Sequence, residues 1–337
     1  MRATRRRVAV VTDSTAALPP GAAARWGITV VPLDVVVDGR RHVEGVSLTS
    51  EALVEALRRG AKVSTSQPSP EAFSRAYASA AATGAEAVVS VHLSGDMSGT
   101  VAAAHSAAER APLPVHVVDS RTTAMALGFA ALAAAWAAAG VPPDEQLVVP
   151  PPGPGAPGGS LAPRASGLRR VRDLLDPAGL RRLPDALRRP AAPGPDEVVA
   201  AARSAASAAA VWFLVDSLEH LRRGGRLSAP AAALGTVLGL RPLLTVAEGK
   251  VVVAEKIRGR RAARGRLEAV AVAAAGTHDG VRLAVHHLGE PDVAAQLAAH
   301  VAAEAGPRVR EVVVAEAGAV LGAHVGPGLL AIVVAPA

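Results

Sequence analysis

The residues of this chain best suited to chemistry are the hydroxyls and glycines of Ser94-Gly95-Asp96-Met97-Ser98-Gly99-Thr100. An apolar run, Val88–Leu93, leads into them, and an alanine-rich stretch from Val101 follows. A strand that passes through such a turn into a helix leaves free backbone N–H groups at the helix start, where the dipole favours negative charge. Ser94, Ser98 and Thr100 add side-chain donors, and Gly95 and Gly99 permit a tight turn. The same hydroxyls would serve equally well as helix caps, the commoner task of serine there. Two other turns have a similar make-up: Thr12-Asp13-Ser14-Thr15 after Val8–Val11, and Asp119-Ser120-Arg121-Thr122 after Val115–Val118.

The elements that must position these turns follow from hydrophobic pattern. Short apolar strands alternating with helices indicate parallel βαβ units. In a parallel sheet all three turns lie at one edge, the carboxyl ends of the strands, where open α/β sheets bind ligands. That placement favours a site over mere capping. Ile28–Val37 is one β-branched extended stretch, Asp38-Gly39 a hairpin signal, and Arg41–Glu44 the returning strand. Thr49 caps a helix through Arg59, and Lys62–Pro70 is extended because residues before proline avoid helical angles. Ser69 and Pro70 open a helix to Thr83. Ala124–Val141 is uncharged and near the lower membrane-spanning length. It is mostly alanine, with Gly128 and Gly140, so a buried helix is expected. Farther on come a helix Asp196–Ala208, a strand Val211–Val215, and a small-residue helix reaching Val237. Arg241–Val246 and Lys250–Glu255 form a hairpin around Glu248-Gly249, and a basic helix starts at Lys256. Val281–His286, Asp292–Ala305 and Val309–Ala315 read as strand, helix and strand before a last apolar strand.

At 337 residues the chain suggests two domains, given roughly 150 residues per domain. Half of it is apolar but only 2% is aromatic, so its cores must be built from small aliphatic side chains. The absence of cysteine excludes disulfides and thiolate zinc sites. Adjacent His286 and His287 point to opposite faces of a strand, with no ligand-spaced neighbour, so neither a metal nor another cofactor is expected. A net charge of +7 admits an acidic partner or a membrane surface. Scarce aromatics and the lack of a recognition motif speak against nucleic acid. Met1–Arg7 is basic, but the apolar run after it, Val8–Val11, is too short for a signal-peptide core. A cytoplasmic protein is expected. Residues 142–195 are rich in Pro, Gly and Arg and read as a linker or surface insertion, with a short helix at Leu168–Leu175. Gly153–Gly158 spells Gly-x-Gly-x-x-Gly, but its prolines remove the N–H donors a dinucleotide loop needs. The expected domains are therefore 1–141 and 196–337, with 142–195 between them.

In this order the segments resemble the DegV family of bacterial fatty-acid-binding proteins. The resemblance is carried by Val11–Leu18 (VTDSTAAL), Val31–Gly45, Thr65–Ser69 (TSQPS), Ser94–Thr100 (SGDMSGT) and Asp119–Gly128 (DSRTTAMALG). Leu218–Ser228 (LEHLRRGGRLS), Arg241–Leu244, Lys256–Arg260 (KIRGR) and Gly322–Gly328 (GAHVGPG) complete it. Each motif alone is weak; together in register they are specific. Gly95, Asp96 and Val101–Ala103 depart from the family pattern.

The resemblance implies a two-domain α/β fold, an N-terminal three-layer domain on a parallel sheet and a C-terminal α/β domain, with a ligand tunnel between them. It implies a long-chain fatty acid whose carboxylate is held by Thr65, Ser66, Ser98, Gly99 and His324, supported by Asp13, Ser14, Ser94 and Gly326. No residue is then catalytic. The chain would be a monomeric, non-enzymatic subunit that presents its lipid to a separate fatty acid kinase. That kinase forms the acyl phosphate used in phospholipid synthesis, and transient membrane contact is expected. Hydroxyls and an imidazole suit this role, because a buried carboxylate must be hydrogen-bonded. Among the basic residues near Gly224-Gly225 and Gly259, Arg226 and Arg258 are read as kinase-docking groups. Two other readings compete. One is a serine hydrolase of acyl esters built on Ser98, His324 and Asp13 or Asp119, although no Gly-x-Ser-x-Gly elbow is present. The other is a lipid-sensing regulatory module.

Overall fold

The computed structural model describes residues 7–142, 145–148, 193–227 and 240–337. The readings made for the extreme N-terminus, for Gly153–Gly158, for Leu168–Leu175 and for a helix reaching Val237 lie outside the described residues.

In chain order the first half contains β1 (Val8–Asp13), α1 (Ala22–Trp26), β2 (Ile28–Val31), β3 (Asp34–Val37), β4 (Arg40–Val43), α2 (Ser50–Arg58) and β5 (Val63–Ser66). It continues with α3 (Pro70–Ala82), β6 (Ala87–His92), α4 (Thr100–Ala108), β7 (Val115–Asp119) and α5 (Ala124–Ala139). The second half contains α6 (Pro195–Ala208), β8 (Ala210–Leu214), α7 (Glu219–Arg223), β9 (Leu240–Ala247), β10 (Lys250–Arg258) and α8 (Arg260–Ala275). It ends with β11 (Val281–His287), α9 (Pro291–Ala305), β12 (Val309–Glu316), α10 (Gly318–Val325) and β13 (Leu330–Pro336).

The apolar runs of the first half pair as a wholly parallel sheet of order β2-β1-β6-β7. Because side chains alternate across a strand, Val11 and Val88 face α3 and α4, whereas Val10, Val89 and Val91 join the core under α5 and α6. That is the expected three-layer arrangement, and it places the three polar turns at one edge. The expected single stretch Ile28–Val37 is instead two strands in different sheets. Pro32 supplies no N–H to continue a ladder, and the Leu33 N–H donates to Ser14 Oγ at 3.0 Å. β3 then heads an antiparallel sheet of order β4-β3-β5. Asp38 (φ 48°) and Gly39 (φ 82°) make its hairpin turn, both central residues left-handed as such turns require.

The third sheet has order β10-β9-β8-β13-β11-β12, antiparallel except for the pair β11–β12. Lys256–Arg258, expected to begin a helix, is the end of β10, paired with Pro242, Arg241 and Leu240. Gly259 at φ 84° breaks the strand, and α8 begins only at Arg260. The alanine-rich α5 is buried along almost its whole length. At Gly128 a Cβ would come within 2.7 Å of Ala16 O, so glycine lets the short 3-10 turn Ser14–Ala16 lie against this helix. Among the described residues no helix is long and apolar enough to cross a membrane.

The ends of β1 and β6 are joined by one carboxylate. Asp13 is fully buried, and its Oδ1 accepts from Thr15 N (3.1 Å) and Thr15 Oγ1 (2.6 Å). Its Oδ2 accepts from Leu93 N (3.0 Å) and from His92 Nδ1 (3.0 Å). The carboxylate thereby assigns the His92 proton to Nδ1, leaving Nε2 to accept from Ser90 Oγ at 2.7 Å. Ser90 in turn lies 3.0 Å from the Tyr77 hydroxyl. Asp13→Ala is expected to cost about 3–5 kcal/mol, since it strands buried donors that lose their only anion. Urea unfolding monitored by circular dichroism checks this, and a loss below about 1 kcal/mol would contradict it.

Candidate functional site

The turns at the edge of the parallel sheet, the start of α5, one face of the third sheet and α10 line a cavity that is partly open to solvent. Most of its wall is aliphatic, including Leu93, Leu221, Val246, Val251, Val320 and Leu329. Four polar side chains in its wall are linked by short-range contacts: Thr65 to His324, His324 to the Arg226 charge, and Arg226 to the Met97 carbonyl beside Ser98. Thr65 comes from β5, Ser98 from the turn before α4, Arg226 from the turn after α7, and His324 from the last turn of α10.

His324 Nε2 lies 2.7 Å from Thr65 Oγ1. Burial, with the nearby Arg226 charge as a second cause, pushes the His324 pKa down to about 4. The imidazole is therefore neutral near pH 7 and offers an N–H without a fixed charge. Its close approach depends on the Gly224-Gly225 turn, because a Cβ on Gly224 would sit 2.5 Å from His324 Nδ1. Ser98 Oγ lies 2.8 Å from Thr100 Oγ1 and accepts the Thr100 N–H at 3.3 Å. It therefore both helps to cap α4 and lines the cavity.

Several expected site residues stand elsewhere. Ser66 is exposed and absent from the wall, because it follows Thr65 on a strand and faces the opposite way. Gly99 is the N-cap of α4, and the Gln67 side chain lies over it. Ser94 is buried and donates to Gly249 O at 2.7 Å. Asp13 carries the buried network described above, Ser14 accepts the Leu33 N–H, and Gly326 (φ 76°) lies against the His220 ring. These residues shape the wall without lining the cavity. Asp96 pairs with Arg121 and Lys250, each at 3.7 Å, and Arg121 also donates to Glu248 O. The turn before α4 is thus clasped to the tip of the β9–β10 hairpin.

Arg226, expected to face outward for docking, turns inward instead. Its Nε donates to Met97 O (2.9 Å) and its Nη1 to Gly224 O (2.5 Å), so its guanidinium is held at the cavity wall. Two adjacent glycines before an arginine were the available signal for such a reversal. Arg258 is exposed at the end of β10. Thr15, from the turn expected at this edge, also lines the cavity, as do Thr123 and His286, to which residue type and spacing assign no such place. A Ser98–His324–Asp triad is not assembled. His324 Nε2 meets Thr65, Asp13 is spent on His92, and Asp119 accepts from Gly95 N (3.2 Å) and Arg121 N (2.8 Å).

A family model described as an uncharacterised protein of the DegV family matches residues 7–147 and 192–337. A DegV domain-containing protein of Streptomyces coelicolor is 40% identical over 329 residues, 98% of each chain. A solved structure described as fatty acid binding of a DegV family protein from Thermus thermophilus is similar with TM-score 0.75 and 31% identity, over 98% of this chain and 99% of that one. Another, described as DegV, a fatty acid binding protein from Bacillus subtilis, has TM-score 0.75 and 27% identity over the same shares.

Burial also pushes the His286 pKa down to about 4. For both cavity histidines the unfolded chain, near 6.5, binds protons before the folded one does. Stability is therefore expected to fall as pH drops from about 6.5 toward 4, by up to about 1.4 kcal/mol per pH unit for each histidine. His324→Gln should remove one of the two contributions. Denaturation midpoints across that range check this, and an unchanged slope in the variant would contradict it.

Proposed function

The chain belongs to the DegV family, and from that premise we propose that it binds a long-chain fatty acid with its carboxylate at Thr65, Ser98 and His324. The observation that carries this reading is the chain of contacts Thr65–His324, His324–Arg226 and Arg226–Met97 beside Ser98 in the wall of a largely aliphatic cavity. A buried carboxylate needs donors and a compensating charge. Hydroxyls and a neutral imidazole supply the first, and the Arg226 guanidinium supplies the second. Because Arg226 Nε and Nη1 are already spent on Met97 and Gly224, it acts through its field rather than as a bidentate fork. At about 0.8 kcal/mol per buried CH₂, the acyl chain provides most of the affinity.

In the same reading the lipid is presented to a separate kinase. A carboxylate oxygen attacks the terminal phosphorus of the kinase's nucleotide, the nucleoside diphosphate leaves, and an acyl phosphate results. A carboxylate held by hydroxyls keeps a lone pair for that attack. The exposed Arg258 offers positive charge for an acidic kinase surface.

Mass spectrometry of lipid extracted from the purified protein should recover a long-chain fatty acid. Ser98→Ala and His324→Ala should each weaken its binding roughly tenfold, one lost charge-assisted hydrogen bond. Recovering no fatty acid, with none bound on titration, would overturn the reading. For the hand-off, Arg258→Glu should leave the bound lipid in place and slow kinase-dependent acyl-phosphate formation at least fivefold; an unchanged rate would remove Arg258 from the docking surface.

A further inference from the structure

Resting on the fatty-acid reading, we propose that the cavity carries a second polar subsite, built on Thr123 beside Thr15 and His286, that takes a hydroxyl group borne along the acyl chain. Several hydrogen bonds bring these residues together. The Met125 N–H donates to His286 Nε2 at 3.2 Å, which sets the start of α5 against the end of β11. The Ala317 N–H donates to His287 O at 3.0 Å, which brings the start of α10 to the same place. The 3-10 turn containing Thr15 packs against both helices. His324 lies at the other end of α10. At 1.5 Å per residue, the interval from Ala317 to His324 is roughly 10 Å. The subsite therefore faces the chain and not the carboxylate.

The hydrogen-bonding capacity left there is specific. His286 is 1% exposed, and both of its nitrogens are used: Nε2 accepts from Met125, so Nδ1 carries the proton toward Ala315 O at 3.2 Å. Its depressed pKa keeps it neutral. Thr15 gives its hydroxyl proton to Asp13 and can only accept. Thr123 Oγ1 is buried and has no hydrogen-bond partner among the described residues. Thr123 occupies the N-cap position of α5 with extended angles (φ −159°, ψ −176°), yet its side chain caps nothing. On either side Arg121 (φ 53°) and Ala124 (φ 54°) are non-glycine residues in the left-handed region, so the backbone is strained to hold Thr123 at the wall. A plain methylene chain would leave the Thr123 donor buried and unpaired. A chain hydroxyl would accept from Thr123 and donate to Thr15, filling that capacity.

The test compares binding of stearic acid with a positional series of monohydroxystearic acids, using the full chain. At least one mid-chain isomer should bind about tenfold more tightly than stearic acid. That ratio should fall to near unity in Thr123→Val, which keeps the shape and removes the hydroxyl, and should persist in Thr123→Ser. Stearic acid bound as tightly as every isomer, or a ratio that survives in Thr123→Val, would overturn the subsite while leaving the fatty-acid reading intact. Failure of every chain to bind would overturn both.

Discussion

Asp13 is a carboxylate with no access to water, placed where two parallel strands end. Such a group is tolerated only if the surrounding chain converges on it with donors. Two backbone N–H groups, a hydroxyl and an imidazole do so, from Thr15, Leu93 and His92. In meeting that demand, the turn after β1 and the turn after β6 are set at one spacing. Thr15 and Leu93 thereby become cavity wall. The carboxylate is structural, and part of the cavity wall is a consequence of how it is satisfied.

The remaining wall is held by contacts that cross between the halves of the chain. Ser94 bonds Gly249, Asp96 faces Lys250, Arg226 bonds Met97, and Thr65 bonds His324. At its other end α10 is held by Glu44, whose Oε1 accepts the Val320 N–H at 2.7 Å. A carboxylate at a helix start is favourable, although burial pushes the Glu44 pKa up. The helix that carries His324 is thus fixed at both ends by the small antiparallel sheet and its flanking loop. This rigidity holds a neutral imidazole against Thr65 in the cavity wall.

Local pattern was a good guide wherever a residue's fate depended on its near neighbours. The Asp38-Gly39 and Glu248-Gly249 turns, the Thr49 cap, the buried α5 and the shared edge of the three polar turns were all legible, because turn angles and strand period are short-range properties. Ile28–Val37 is extended as its β-branched residues require, but β propensity does not say that its two strands join different sheets. Lys256–Arg258 was misread since their charge obscured an edge strand that Gly259 ends.

The sequence by itself determined the class of fold, the family, and the presence of hydroxyls and a histidine suited to an anion. Only the tertiary structure decided which of them face the cavity. Ser66 and Thr65 are neighbours in sequence, yet strand alternation sends one to solvent and the other to His324. Arg226 looks like a surface charge until the Gly224-Gly225 turn and Met97 O draw it inward. The turn Ser94–Thr100 divides in the same way: Ser98 reaches the cavity, whereas Ser94 and Asp96 clasp the β9–β10 hairpin. The reason is physical. Which face a side chain presents, and what pairs with it, is settled by partners more than a hundred residues away, and residue type and local spacing carry no information about them.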